Sequence, residues 1–109
     1  MALTQDFKET VVARVQHDPD FAMALFDEAA TLFLNGEAET SKRILRDLIN
    51  ATIGFEQLAQ VVDKPSKSVH RMLSPSGNPT MSNLAAIFRV IKNSLKVEIE
   101  AHTVRVNPA

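Results

Sequence analysis

"FEQLAQVVDKPSKSVHRML", residues 55–73, decides the fold. Two short apolar runs flank a turn. Phe55, Leu58, Ala59 and Val62 recur at helical spacing, and so do Val69, Met72 and Leu73. Between them, Asp63, Lys64 and Pro65 break the period, because Pro65 lacks an N–H and disfavours the helical region at Lys64. The pattern predicts helices over 55–62 and 66–73 joined by a tight turn. Helices this short are not stable alone and need neighbours. The small side chain of Ala59 lets the second cross closely over the first. Two short helices in this order form a helix-turn-helix layout, whose second helix enters the DNA major groove.

The neighbours are present on both sides. Residues 39–51 read as a helix with Ile44, Leu45, Leu48 and Ile49 inward and Lys42, Arg43, Arg46 and Asp47 outward. Thr80 caps a helix running to 93, with Leu84, Ile87, Phe88 and Ile91 inward. Between them "SPSGNP", residues 74–79, is a loop on turn chemistry. Upstream, a helix over 4–16 is capped by Thr4 and carries Phe7, Val11, Val12 and Val15 on one face. A second runs over 19–34, with Asp18 as N-cap, Pro19 at its first position and Asn35-Gly36 at its end. Phe21, Phe26 and Phe33 read as core. Met23, Ala24 and Leu34 lie off that face, as apolar surface for a dimer or partner contact. In "SLKVEIEA", residues 94–101, the period changes to two. Leu95, Val97 and Ile99 alternate with charges, a strand signal that requires pairing with a second copy or a partner's sheet edge.

The expected fold is therefore all-α, with a helix-turn-helix core (39–93), an N-terminal helical extension (1–38) and one short C-terminal strand (94–102) in a single domain over 1–109. The 109 residues suit one domain, and 45% hydrophobic with 23% charged is ordinary globular usage. Without cysteine, disulfides and thiolate metal sites are excluded. No apolar run is long enough for a bilayer, and the acidic start MALTQDFKETVV is unlike a signal peptide, so a cytoplasmic location is expected.

The net charge of −1 conceals a split. Residues 1–40 hold eight acids and two bases, while 41–109 hold ten bases and five acids. From 64 to 97 there are six Lys and Arg and no Asp or Glu. Such asymmetry points to a polyanion partner, against the rival reading of solvated helix faces. The outward face of the second short helix is Ser66, Lys67, Ser68, His70 and Arg71, donors suited to base edges and phosphates. Lys64, Arg89 and Lys92 add phosphate attraction.

The run "FEQLAQVVDKPSKSVHRMLSPSGNPTMSNLAAIFRVI" resembles the helix-turn-helix of lambda-repressor-like (Cro/Xre-type) regulators. Through "RMLSPSGNPT" it is similar to their addiction-module antidote branch, the HigA-type antitoxins. The resemblance covers about residues 18–100. It implies binding to double-stranded DNA, commonly as a homodimer, repression of the protein's own operon, and a RelE-like toxin as partner. It places Ser66, Lys67, Ser68 and His70 toward bases, and Arg71 toward a base or phosphate. Asp63 stands where many relatives of this kind have Gly. Phe55 stands where many have a phosphate-binding Gln, leaving the backbone amides of Phe55 and Glu56 to hold that phosphate.

Other chemistries find little support. "SPSGNP" has one Gly and no following Lys, so it is not a Walker-type loop; it reads as a connector, with phosphate contact by Ser74, Ser76 or Asn78 as the rival. His17, His70 and His102 are scattered without ligand spacing. No catalytic constellation stands out, so no enzyme activity, cofactor or membrane association is expected. The alternative function is a protein-interaction module whose acidic N-terminal half wraps a small basic toxin.

Overall fold

The computed structural model describes the backbone of residues 2–107 and the side chains of residues 10–107. Six helices succeed one another: α1 (Ala2–His17), α2 (Pro19–Leu34), α3 (Ala38–Ala51), α4 (Gly54–Val62), α5 (Ser66–Met72) and α6 (Met81–Leu95). Among the described residues there is no strand, and no helix is long and apolar enough to cross a membrane. The architecture is all-helical.

Local chemistry explains most of the helix ends. Asp18 caps α2, its Oδ1 accepting from the Phe21 N–H at 3.1 Å, with Pro19 in the first turn. Gly36, at φ +93°, closes the other end. There Gly36 N–H donates to Phe33 C=O at 3.1 Å and Glu37 N–H to Leu32 C=O at 2.8 Å, the paired bonds of a Schellman motif. Thr80 Oγ1 accepts from Asn83 N–H at 3.1 Å and starts α6. Thr4, expected to cap α1, lies inside it, because the helix already begins at Ala2. The side chain of Phe7 lies outside the described residues.

The core runs through all six helices. α2 buries Ala22, Ala29 and Ala30 and packs on α3. At that crossing Ser41, fully buried, donates its hydroxyl to Ala29 C=O at 2.7 Å. Phe26, Leu45, Leu48, Ile49, Leu58, Val69, Leu73, Ile87 and Ile91 fill the centre. Truncating one of these leucines to Ala costs roughly 2–5 kcal/mol, transfer and cavity terms together. Phe26 tilts against Phe88 at 5.6 Å between ring centres. Phe33 departs from its expected place in the core. It sits in the last turn of α2, at the rim of an open groove with Met81 and Leu84, and keeps only an edge contact with Phe88 at 6.2 Å.

The expected C-terminal strand does not form. Leu95 is the last residue of α6, and Lys96 takes a left-handed conformation (φ 59°, ψ 49°) that ends the helix, with Val97 N–H on Lys92 C=O at 3.1 Å. Beyond it the chain runs on as irregular backbone, and none of residues 98–107 makes a hydrogen bond within the described part of the chain. Val97 is half-buried against the core, while Val97 and Ile99 share a groove with Met23, Ala24 and Phe26 of α2. An alternating pattern suits a strand on a sheet, but it also suits a lone segment resting alternate side chains on a helix. With no sheet edge among the described residues, the segment takes the second arrangement here.

Candidate nucleic-acid interface

α4 and α5 meet at a turn whose geometry follows from its residues. Asp63 adopts the left-handed conformation (φ 57°, ψ 50°). Asp63 N–H donates to Gln60 C=O at 3.3 Å and Lys64 N–H to Ala59 C=O at 3.0 Å, again the Schellman pair. A residue with Cβ pays roughly 1 kcal/mol for that conformation, and Asp tolerates it better than most. Pro65 then sits extended (φ −60°, ψ 145°) ahead of α5, where its missing N–H costs nothing. Ala59 is buried at the α4–α5 crossing as its size suggested.

A helix turns about 100° per residue. That rotation, with Val69 and Leu73 fully buried, sets the faces of α5. Lys67, His70 and Arg71 project to solvent, and Lys64 is exposed just before them. Lys64, Lys67 and Arg71 make no ion pair among the described residues. Ser66 and Ser68 lie on the flanks, half-buried, rather than on the outward face expected for them. Ser66 is further committed, since its hydroxyl donates to Glu56 Oε2 at 2.9 Å. His70, exposed at its edge, stacks on the buried Phe55 ring, 4.1 Å between centres and 18° between planes. Phe55 thus serves the core and a ring contact that ties α4 to α5. The Glu56 carboxylate stands in the first turn of α4, where it complements the helix dipole and lies beside the amides expected to hold a phosphate. Arg89 is exposed and Lys92 half-buried on α6, which packs on α4 and α2.

Two residues expected to point outward do the opposite. Lys42 is only 8% exposed. Its ammonium donates to Gly77 C=O at 2.8 Å and Pro75 C=O at 3.2 Å and pairs with Glu39 at 3.2 Å, which uses its three protons. One turn on, Arg46 donates from a guanidinium N–H to Leu73 C=O at 3.1 Å. Both therefore grip "SPSGNP" and the end of α5. The signal was in the spacing: Lys42 lies three residues before Leu45 and seven before Ile49, on the apolar stripe of α3. The loop also closes on itself. Ser74 Oγ donates to Arg71 C=O at 2.7 Å, and Gly77 N–H to Ser74 C=O at 2.9 Å. A Cβ at Gly77 would run into the Arg71 carbonyl oxygen and lie 2.7 Å from that of Met72, so only glycine fits there.

A second feature lies between α2 and the C-terminal segment. There a groove of about 550 Å³ is lined by Met23, Ala24, Phe26, Val97 and Ile99, with the carboxylates of Asp27, Glu98 and Glu100 and with His102. Met23 is half exposed. No three His, Asp or Glu side chains among the described residues cluster as metal ligands would.

No family model, curated protein or solved structure matches this chain.

Proposed function

We propose that this protein is a sequence-specific DNA-binding regulator of the helix-turn-helix, lambda-repressor-like kind, with α4 and α5 as the paired helices and α5 as the reading helix. The observation that carries the proposal is the outward face of α5. Lys67, His70 and Arg71 stand exposed on a helix whose other side buries Val69 and half-buries Met72, within a run of 34 residues (64–97) that holds no acid. A helix with its side chains is about 10–12 Å across, which suits a major groove about 12 Å wide. Lys67 and Arg71 donate to guanine acceptors or phosphates, and Lys64 adds attraction at the turn. A homodimer would set two copies of α5 in successive major grooves of a palindromic operator, roughly 34 Å apart. Repression of the protein's own operon, from the cytoplasm and as the HigA-type antitoxin of a RelE-like toxin, is the biological setting that the "RMLSPSGNPT" resemblance supports.

The test is an anisotropy titration on duplex DNA from the protein's own promoter at several salt concentrations. Wild type is expected to prefer it over unrelated duplex. Lys67→Ala is expected to weaken binding and reduce the slope of log K against log salt by about 0.9, one counterion. A wild-type chain without that preference ends the proposal; an unchanged slope and affinity in Lys67→Ala removes Lys67 from the interface.

The α2 groove supports a second reading, a module that binds a small basic protein. Its carboxylates at Asp27, Glu98 and Glu100 beside Met23 and Ile99 complement a basic, partly apolar partner segment. Co-expression with an adjacent gene for a small basic protein should give a co-purifying complex that Asp27→Lys disrupts. Separate elution of the two proteins counts against it.

A further inference from the structure

α5 has seven residues, too few to hold its own shape or angle. Its N-terminal end is held by the Asp63–Pro65 turn, and the His70–Phe55 stack ties its last turn to α4. Its C-terminal end is held from α3. Arg46 binds the carbonyl of Leu73, the residue that caps α5, and Lys42 binds the carbonyls of Pro75 and Gly77, two and four residues on. Gly77 in turn lies against the carbonyls of Arg71 and Met72, so the loop folds back onto the helix end that Arg46 grips. Two cations one turn apart on α3 thus meet the carbonyl-rich end of α5, where the helix dipole favours positive charge. Lys42 does this while nearly buried, with every proton accounted for, so it cannot also reach a phosphate.

We infer that Lys42 and Arg46 are positioning residues for DNA readout: they fix the angle at which α5 presents Lys67, His70 and Arg71, and touch no nucleic acid themselves. The inference rests on the DNA-binding reading above. A misaligned helix loses base contacts, which need fixed geometry, but keeps its charge near the phosphates, which do not. Losing either cation therefore lowers specificity and leaves non-specific affinity in place.

Full-length Lys42→Met, Arg46→Met and Arg46→Lys chains test this. Each is titrated against promoter duplex and unrelated duplex of equal length at several salt concentrations, and amide exchange is followed over residues 66–77. In both Met variants, promoter affinity is expected to fall about tenfold, the scale of one lost base contact. Unrelated-duplex affinity and the salt slope are expected to stay unchanged. Exchange should quicken at Ser74 and Gly77, whose N–H groups bond to the carbonyls of Arg71 and Ser74, while α1–α3 keep their protection. Arg46→Lys keeps a donor and should restore the preference. If Lys42→Met does not fold, Arg46→Met, which loses a single half-exposed bond, decides the matter. Folded Met variants with wild-type specificity and exchange overturn the inference, as does a reduced salt slope, which would mean direct phosphate contact. A wild-type chain that ignores its own promoter overturns the underlying reading. Wild type that binds it while both Met variants bind equally well overturns only the clamp.

Discussion

The loop "SPSGNP" and the tail after Lys96 are both irregular, yet they differ in order and in cause. The loop is held by six hydrogen bonds: two to Lys42, one to Arg46 at the preceding carbonyl, two from Ser74 to Arg71 C=O at the end of α5, and one within itself. Residues 98–107 make none among the described residues, and all are exposed. The loop is made of turn residues and the tail of β-formers, so propensity ranks them the wrong way round. What orders an irregular segment is whether its carbonyls find donors on a neighbouring element, and α3 supplies them only to the loop.

The largest test of that contrast is Gly77→Ala. A Cβ at this position meets the carbonyls of Arg71 and Met72, neither of which is a flexible side-chain tip. Relieving the clash means opening the Lys42 clamp, so a loss of about 3 kcal/mol or more is expected in urea unfolding. A loss under 1 kcal/mol would mean that the loop is less constrained than its bonds suggest. Val97→Ala comes next. Val97 is the half-buried anchor of the tail, and removing two carbons at partial burial should cost about 1 kcal/mol. Lys96→Gly should act in the opposite direction. It relieves a left-handed residue carrying a Cβ, with a gain of roughly 0.5–1 kcal/mol read as a raised Tm. Smallest of all is a chain ending at Thr103. Val104 is 77% and Val106 85% exposed, so stability should change by less than about 0.5 kcal/mol. A larger loss would show that the tail is bound in solution, for instance by strand pairing in a dimer.

Much of the α4–α5 unit was legible in the sequence. The periods of "FEQLAQVV" and "SKSVHRML" and the break at Asp63-Lys64-Pro65 are local, and they have their counterparts in α4, α5 and the turn at Asp63; the small Ala59 is buried. The outward placement of Lys67, His70 and Arg71 followed from the same period. Ser66 was misjudged, because its partner, Glu56, lies ten residues away on another helix. Phe33 differs because an open groove between α3 and α6, lined by Ala38, Leu45, Met81 and Leu84, leaves its ring partly exposed.

Sequence alone determined the helices, the caps of α2 and α6 and most of the buried faces, because helical period and capping depend on residues within about four positions of one another. Tertiary structure alone decided the roles of Lys42, Arg46 and the alternating tail. A lysine on the edge of an apolar stripe is solvated or buried according to whether another segment brings carbonyls to it, and 33 to 35 residues separate Lys42 from its loop partners. An alternating run becomes a strand only where a second edge exists to pair with it. α3 met the loop's carbonyls, and nothing among the described residues met the tail's.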